Sequence, residues 1–264
     1  MTQHCELLDI KNTDEKLLPA KDYSLQGLNL KNDIQLPRLV EAIRKFQADN
    51  GSASSDRPRM NLLLSGPPGT GKTEFVKYLG AVLKTKVVVQ MGSSLLSMFV
   101  GGTEQNIKQA FAMAEAEKAI LFLDEIDGLL QSRERSQRSW EVTQVNELLY
   151  QMENFNGILI GATNFAVNLD PATARRFTFK VEFDYLTDSG KQIFFEQMFQ
   201  RTLSPGEAVR LAAISTLTPG DFRTVRQSLY YLGGESDNHN YLTALEHESR
   251  MKQKNQFSMT KVGF

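Results

Sequence analysis

Gly66, Gly71, Lys72 and Thr73 stand in the spacing G-x-x-x-x-G-K-[ST] within SGPPGTGKTE, residues 65–74. The chemistry of that spacing is phosphate binding. Glycines at 66, 69 and 71 reach backbone angles closed to other residues and let peptide N–H groups approach an anion. Successive amides and the start of a following helix then face the phosphate oxygens. Lys72 supplies positive charge for the β- and γ-phosphates, and Thr73 a hydroxyl for Mg²⁺. The stretch predicts an ATP/ADP site lined by Gly66, Pro67, Pro68, Gly69, Thr70, Gly71, Lys72, Thr73 and Glu74.

A second group follows at AILFLDEID, 119–127, an apolar run that ends in acids. Neighbouring carboxylates are costly to bury unless paired or bound to a cation. Alone, the run reads equally well as a solvated strand end. Beside a phosphate loop, Asp124 is placed to hold Mg²⁺ through water and Glu125 to accept a proton from an attacking water. A nucleotide switch could dispense with Glu125, so its presence favours turnover.

These residues need elements to position them. MNLLLS (60–65), KVVVQM (86–91), AILFLD (119–124), GILIGAT (157–163) and FTFKVEFD (177–184) read as strands. Helical patterns separate them at 71–84, 103–116 and 139–153, and another precedes them at 33–47. Nearly continuous apolar strands alternating with helices predict an α/β fold, a parallel sheet covered on both faces. After residue 186 four helical patterns follow without strands. The expected organisation is an arm or linker over 1–24, an α/β nucleotide-binding core over 25–186 and a small all-α lid over 187–264.

The composition narrows the function classes. The chain has 264 residues and a formal net charge of −1, which argues against a dedicated nucleic-acid binder. One cysteine, Cys5, allows no internal disulfide and suits a reducing compartment. No apolar run approaches the ~20 residues of a membrane span, and the start lacks an apolar secretory region. The expectation is a soluble, cytoplasmic protein without a membrane partner. His4, His239 and His247 show no metal spacing, and no H-E-x-x-H motif is present.

From about 25 to 250 the chain resembles the AAA family of AAA+ ATPases. GPPGTGKT is similar to its Walker A motif, LFLDEID to Walker B, LIGATN (159–164) to its sensor-1 strand, and LDPATARRF (169–177) to its second region of homology. MFVGGTEQNI is similar to its pore-loop segment. The motifs come in the family's order and spacing. The resemblance implies a homo-oligomeric ring, usually a hexamer, with ATP at each subunit boundary. Asn164 would orient the lytic water or sense the γ-phosphate, and Arg175 and Arg176 would reach into a neighbour's site. The two arginines are adjacent here, where many relatives separate them by Pro-Gly, so which is the finger stays open. PGDF (219–222) fits the lid motif without an arginine, which would put Gly220 near the adenine; Arg223 stands at the wrong offset for the arginine-bearing version.

Phe99 and Val100 can be read in two ways. They pack on the sheet edge with Met98, or, as the resemblance implies, they grip a protein or peptide substrate in the ring's channel, helped by flexible Gly101 and Gly102. QSRERSQRSW (131–140) is a second pore loop or a solvated loop. The function expected is ATP hydrolysis coupled to remodelling, unfolding or threading of a protein. A nucleic-acid motor or loader and a slow nucleotide-gated scaffold are the alternatives.

Overall fold

A computed structural model describes residues 25–49, 58–99, 101–129, 139–164, 171–232 and 237–261. The expected arm, most of the loop before residue 58, Val100, and the 131–140 segment up to its last two residues lie outside these, as does the side chain of Trp140. The described chain divides into two compact units. The first takes its residues from Asn32–Gly66 and Lys72–Glu182; the second from 25–31, Pro67–Gly71 and 183–261.

In the first unit five parallel strands lie in the order β6-β2-β5-β4-β3. They are β2 (Met60–Ser65), β3 (Val87–Met91), β4 (Ile120–Asp124), β5 (Ile158–Thr163) and β6 (Phe179–Asp184, as far as Glu182). Every residue of β2 and β5 is buried, as expected of strands covered on both faces. The covering helices are α1 (Leu36–Ala48), α2 (Lys72–Leu83), α3 (Gly92–Leu95), α4 (Gly102–Ala116), α5 (Ser139–Asn154) and α6 (Pro171–Ala174). On α1 the residues buried are Leu36, Leu39, Val40, Ile43 and Phe46, the set its spacing predicts. Ile107 and Phe111 of α4, with Leu148 and Met152 of α5, close the core around Leu121 and Leu159. Phe111 meets Phe155 edge-on at 5.2 Å.

In the second unit Asn29 and Leu30, strand β1, pair antiparallel with Asp184 and Phe183, the tail of β6. Its helices are α7 (Asp188–Phe199), α8 (Pro205–Ala212), α9 (Pro219–Leu232) and α10 (Asn238–Lys261). Phe194, Phe195, Phe199, Leu211, Phe222 and Leu242 form their shared core. Ser204 and Glu207 make a reciprocal capping box at the start of α8. Helix α10 continues to Lys261 because its polar second half contains no glycine or proline to end it. No helix of the described residues is long and apolar enough to cross a membrane.

Candidate active site

Parallel strands bring their C-terminal ends to one edge of the sheet, where ligands of open α/β sheets bind. Here β2 ends at Ser65, β4 at Asp124 and β5 at Thr163, and β5 lies between the other two. Ser65 is in register with Thr163. Three loops from distant parts of the chain therefore start side by side.

The loop after β2 turns on Gly66, Gly69 and Gly71, whose φ angles are 133°, 80° and 99°. A side chain would strain all three. Thr70 is buried and its hydroxyl donates to the Pro67 carbonyl at 2.8 Å, tying the turn across itself. Lys72 opens α2 and is also buried. Its Nζ donates to the Gly66 carbonyl at 2.7 Å and to Asn164 Oδ1 at 2.9 Å. Burial pulls its pKa down from 10.5 to about 8, against the opposing pull of Asp124 and Asp127. Thr73 Oγ1 donates to Asp124 Oδ2 at 3.1 Å. Lys72, Thr73, Asp124 and Asn164 thus meet in one cluster, with Gly66 at its border.

Glu125 is held by its backbone. Its N–H donates to Asp124 Oδ1 at 2.9 Å, and its φ of 51° is a left-handed angle uncommon for a glutamate. Gly92, the first residue of α3, lies so close that a Cβ there would meet the Glu125 carbonyl oxygen at 2.3 Å. Thr163 donates to Asp127 Oδ1, which anchors the turn after β4 to the end of β5. Glu74 pairs with Lys77 at 2.9 Å along α2. Pro67 and Pro68 lie on the loop, where the Pro67 carbonyl accepts from the Thr70 hydroxyl.

The two arginines have different surroundings. Arg176 pairs with Glu153 at 2.6 Å, and its carbonyl accepts from the buried Asn61 amide at 3.0 Å. Arg175 is exposed and makes no ion pair among the described residues. Both precede β6, at the sheet edge opposite Lys72. They do not join the cluster.

Met98 and Phe99 are 96% and 80% exposed, so neither packs on the sheet edge. The turn that lifts them is built. Ser97 N–H donates to Thr103 Oγ1 at 2.9 Å, Gly102 N–H to the Phe99 carbonyl at 3.0 Å, and Gly101 is left-handed at 79°. A Cβ on Gly102 would strike Ser97 Oγ at 2.4 Å. The glycines are thus required by a tight turn, a reason the sequence reading did not contain. Gly220, in the second unit, donates its N–H to the Gly69 carbonyl at 2.9 Å. Sequence reasoning missed Asn61, Gly92, Asp127 and Thr163; of these only the acid of Asp127 was visible as part of the DEID run.

A glycine-rich loop between a central parallel strand and a helix, with a lysine at the helix start and an acid at the end of β4, one strand removed in the sheet, defines a P-loop nucleotide-binding domain. Residues 62–185 match the family model described as ATPase family associated with various cellular activities (AAA). Over that central segment, just under half of the chain, the protein is similar to the AAA family. Fidgetin-like protein 1 of Drosophila melanogaster is 33% identical over 170 residues, covering 62% of this chain and 32% of that protein. Spastin of Gallus gallus is 31% identical over 170 residues, covering 62% and 28%. Spastin of Drosophila melanogaster is 29% identical over 171 residues, covering 62% and 23%. The matched part of the chain spans a third or less of the length of these relatives.

Proposed function

We propose that this chain binds ATP with Mg²⁺, hydrolyses it at a site completed by a second copy, and uses the cycle to remodel or thread a protein through a homo-oligomeric ring. The observation that carries the reading is the Lys72 ammonium held between the Gly66 carbonyl and Asn164 Oδ1, beside the Thr73–Asp124 pair. Lys72 then has two acceptors of its own and is positioned where phosphate oxygens would replace them.

The oxygens of Thr73 and Asp124 fit Mg²⁺, a hard cation bound by one or two carboxylates, water and substrate phosphates. Mg²⁺, when bound, neutralises charge on the β- and γ-oxygens. Among the described residues there is no group of three or more His, Cys, Asp or Glu able to hold a metal alone, and such a site does not need one. Glu125, fixed by Asp124 and Gly92, is the general base for water, and Asn164 orients that water.

A finger from a second copy is favoured by distance. Arg175 precedes β6 at one edge of the sheet, and the phosphate cluster is at the other. Six-residue strands at ~3.3 Å per residue separate them by roughly 17 Å, beyond an arginine's reach. Arg176 is engaged by Glu153, which leaves Arg175 as the residue able to act on a neighbour and Arg176 as its anchor. Exposed Phe99 supplies a non-directional apolar grip on a polypeptide.

The test is solution mass of a Glu125→Gln variant, with and without ATP. Assembly from monomer to a closed ring on adding ATP is expected. A chain that stays monomeric with ATP bound, while the wild type turns over at full rate as a monomer, overturns the ring.

A further inference from the structure

Within the second unit a line of contacts runs from the last helix to the phosphate loop. Lys252 on α10 places its Nζ 2.6 Å from Asp221 Oδ2 and 3.2 Å from Thr218 Oγ1. Asp221 is only 4% exposed, and the same Oδ2 accepts from the Thr218 N–H at 2.7 Å and the Thr218 hydroxyl at 2.9 Å. One residue earlier, Gly220 donates its N–H to the Gly69 carbonyl at 2.9 Å. Thr218 Oγ1 sits 2.8 Å from where a Cβ on Gly69 would be, so the lid side of the loop is filled by this hydroxyl. A Cβ on Gly220 would meet Gly69 Cα at 3.1 Å. Both glycines are required by the close approach.

A carboxylate this buried needs its cation, since an unpaired charge inside a protein is strongly destabilising. Lys252 is that cation. The buried pair fixes the first turn of α9, and that turn presents Gly220 and Thr218 to Gly69. The structure assigns Lys252 as a positioning residue for nucleotide binding: its ammonium, 31 residues from Asp221 in sequence, holds the turn that sets the phosphate loop's amides. The assignment rests on the reading of that loop as the nucleotide site. Amides ordered before the phosphates arrive need not be ordered on binding, so the effect falls on affinity. Asp124, Glu125 and Asn164 belong to the first unit and make none of these contacts, so turnover at saturation is spared.

The experiment uses the full chain and three variants: Lys252→Met, Lys252→Arg, and Lys252→Met with Asp221→Asn. The double variant removes the buried charge that Lys252→Met would strand, and so tests the tie if the single variant does not fold. Readouts are KM and kcat for ATP, the dissociation constant for ADP, and hydrogen exchange of the Gly220 amide without nucleotide. Expected in both methionine variants are KM and the ADP constant raised about tenfold, within the range reported for coupling through packed networks, kcat within about twofold, and faster Gly220 exchange. Lys252→Arg restores all three. A folded methionine variant with wild-type KM and unchanged Gly220 exchange overturns the assignment, as does kcat falling at constant KM. A wild-type chain that binds neither ATP nor ADP sinks the nucleotide reading instead; the exchange data then still report whether Lys252 holds Gly220.

Discussion

Lys72 carries the most informative number in the site. Burial brings its pKa to about 8, so the nucleotide-free protein begins to lose this charge just above neutrality. The folded state holds the proton less tightly than the unfolded chain, whose lysine titrates near 10.5. The buried charge therefore counts against folding below pH 8, and that penalty is relieved as pH rises from about 8 to 10.5. Phosphates restore the charge. Nucleotide binding above pH 8 should thus take up a proton, and affinity should fall by up to about tenfold per pH unit there. Calorimetric titration in buffers of different ionisation enthalpy measures that uptake; constant affinity from pH 7 to 9.5 would contradict it. Lys72→Ala should abolish both the binding and its pH dependence.

At the scale of elements, the turn after β4 is set by what packs behind it. Helix α3 is only four residues long, yet its first residue abuts the Glu125 backbone. A methyl group at position 92 has no room at 2.3 Å and must push the Glu125 carbonyl away. Gly92→Ala should lower kcat by about a hundredfold, the order expected for ångström-scale misplacement of a catalytic group. Nucleotide affinity should change little, because Lys72 and its acceptors are not displaced. Equal loss of affinity and turnover would mean that the whole sheet edge had shifted.

For the whole molecule, the opposed ends of the sheet favour the proposed site shared between copies. Arg175→Ala chains should be inactive alone and regain turnover when mixed with Lys72→Ala chains, which supply a finger but no site. Losses in rate of about 10³-fold or more are typical when such a guanidinium is removed. If mixing rescues nothing, the trans finger is wrong. Phe99→Ala should keep basal hydrolysis within about twofold, since an exposed side chain carries little of the fold. Threading of an unfolded tagged protein should be lost. A threading rate equal to wild type would remove Phe99 from the substrate path.

Order along the chain was enough for the phosphate loop, the acidic strand end, the buried strands and the helix faces. Each depends on residues within one turn or one strand of each other, and spacing records that directly. What meets across the fold was not written that way. Lys72 and Asn164 are 92 positions apart, and the Asn61 amide reaches the Arg176 carbonyl across 115. Nothing in RRF separates the arginine bound to Glu153 from the one left exposed. Gly101 and Gly102 read as freedom in one dimension and are a tight turn in three. Burial and partners are properties of packing, and only the folded chain supplies the neighbours that decide whether a charge is anchored, stranded or free to act.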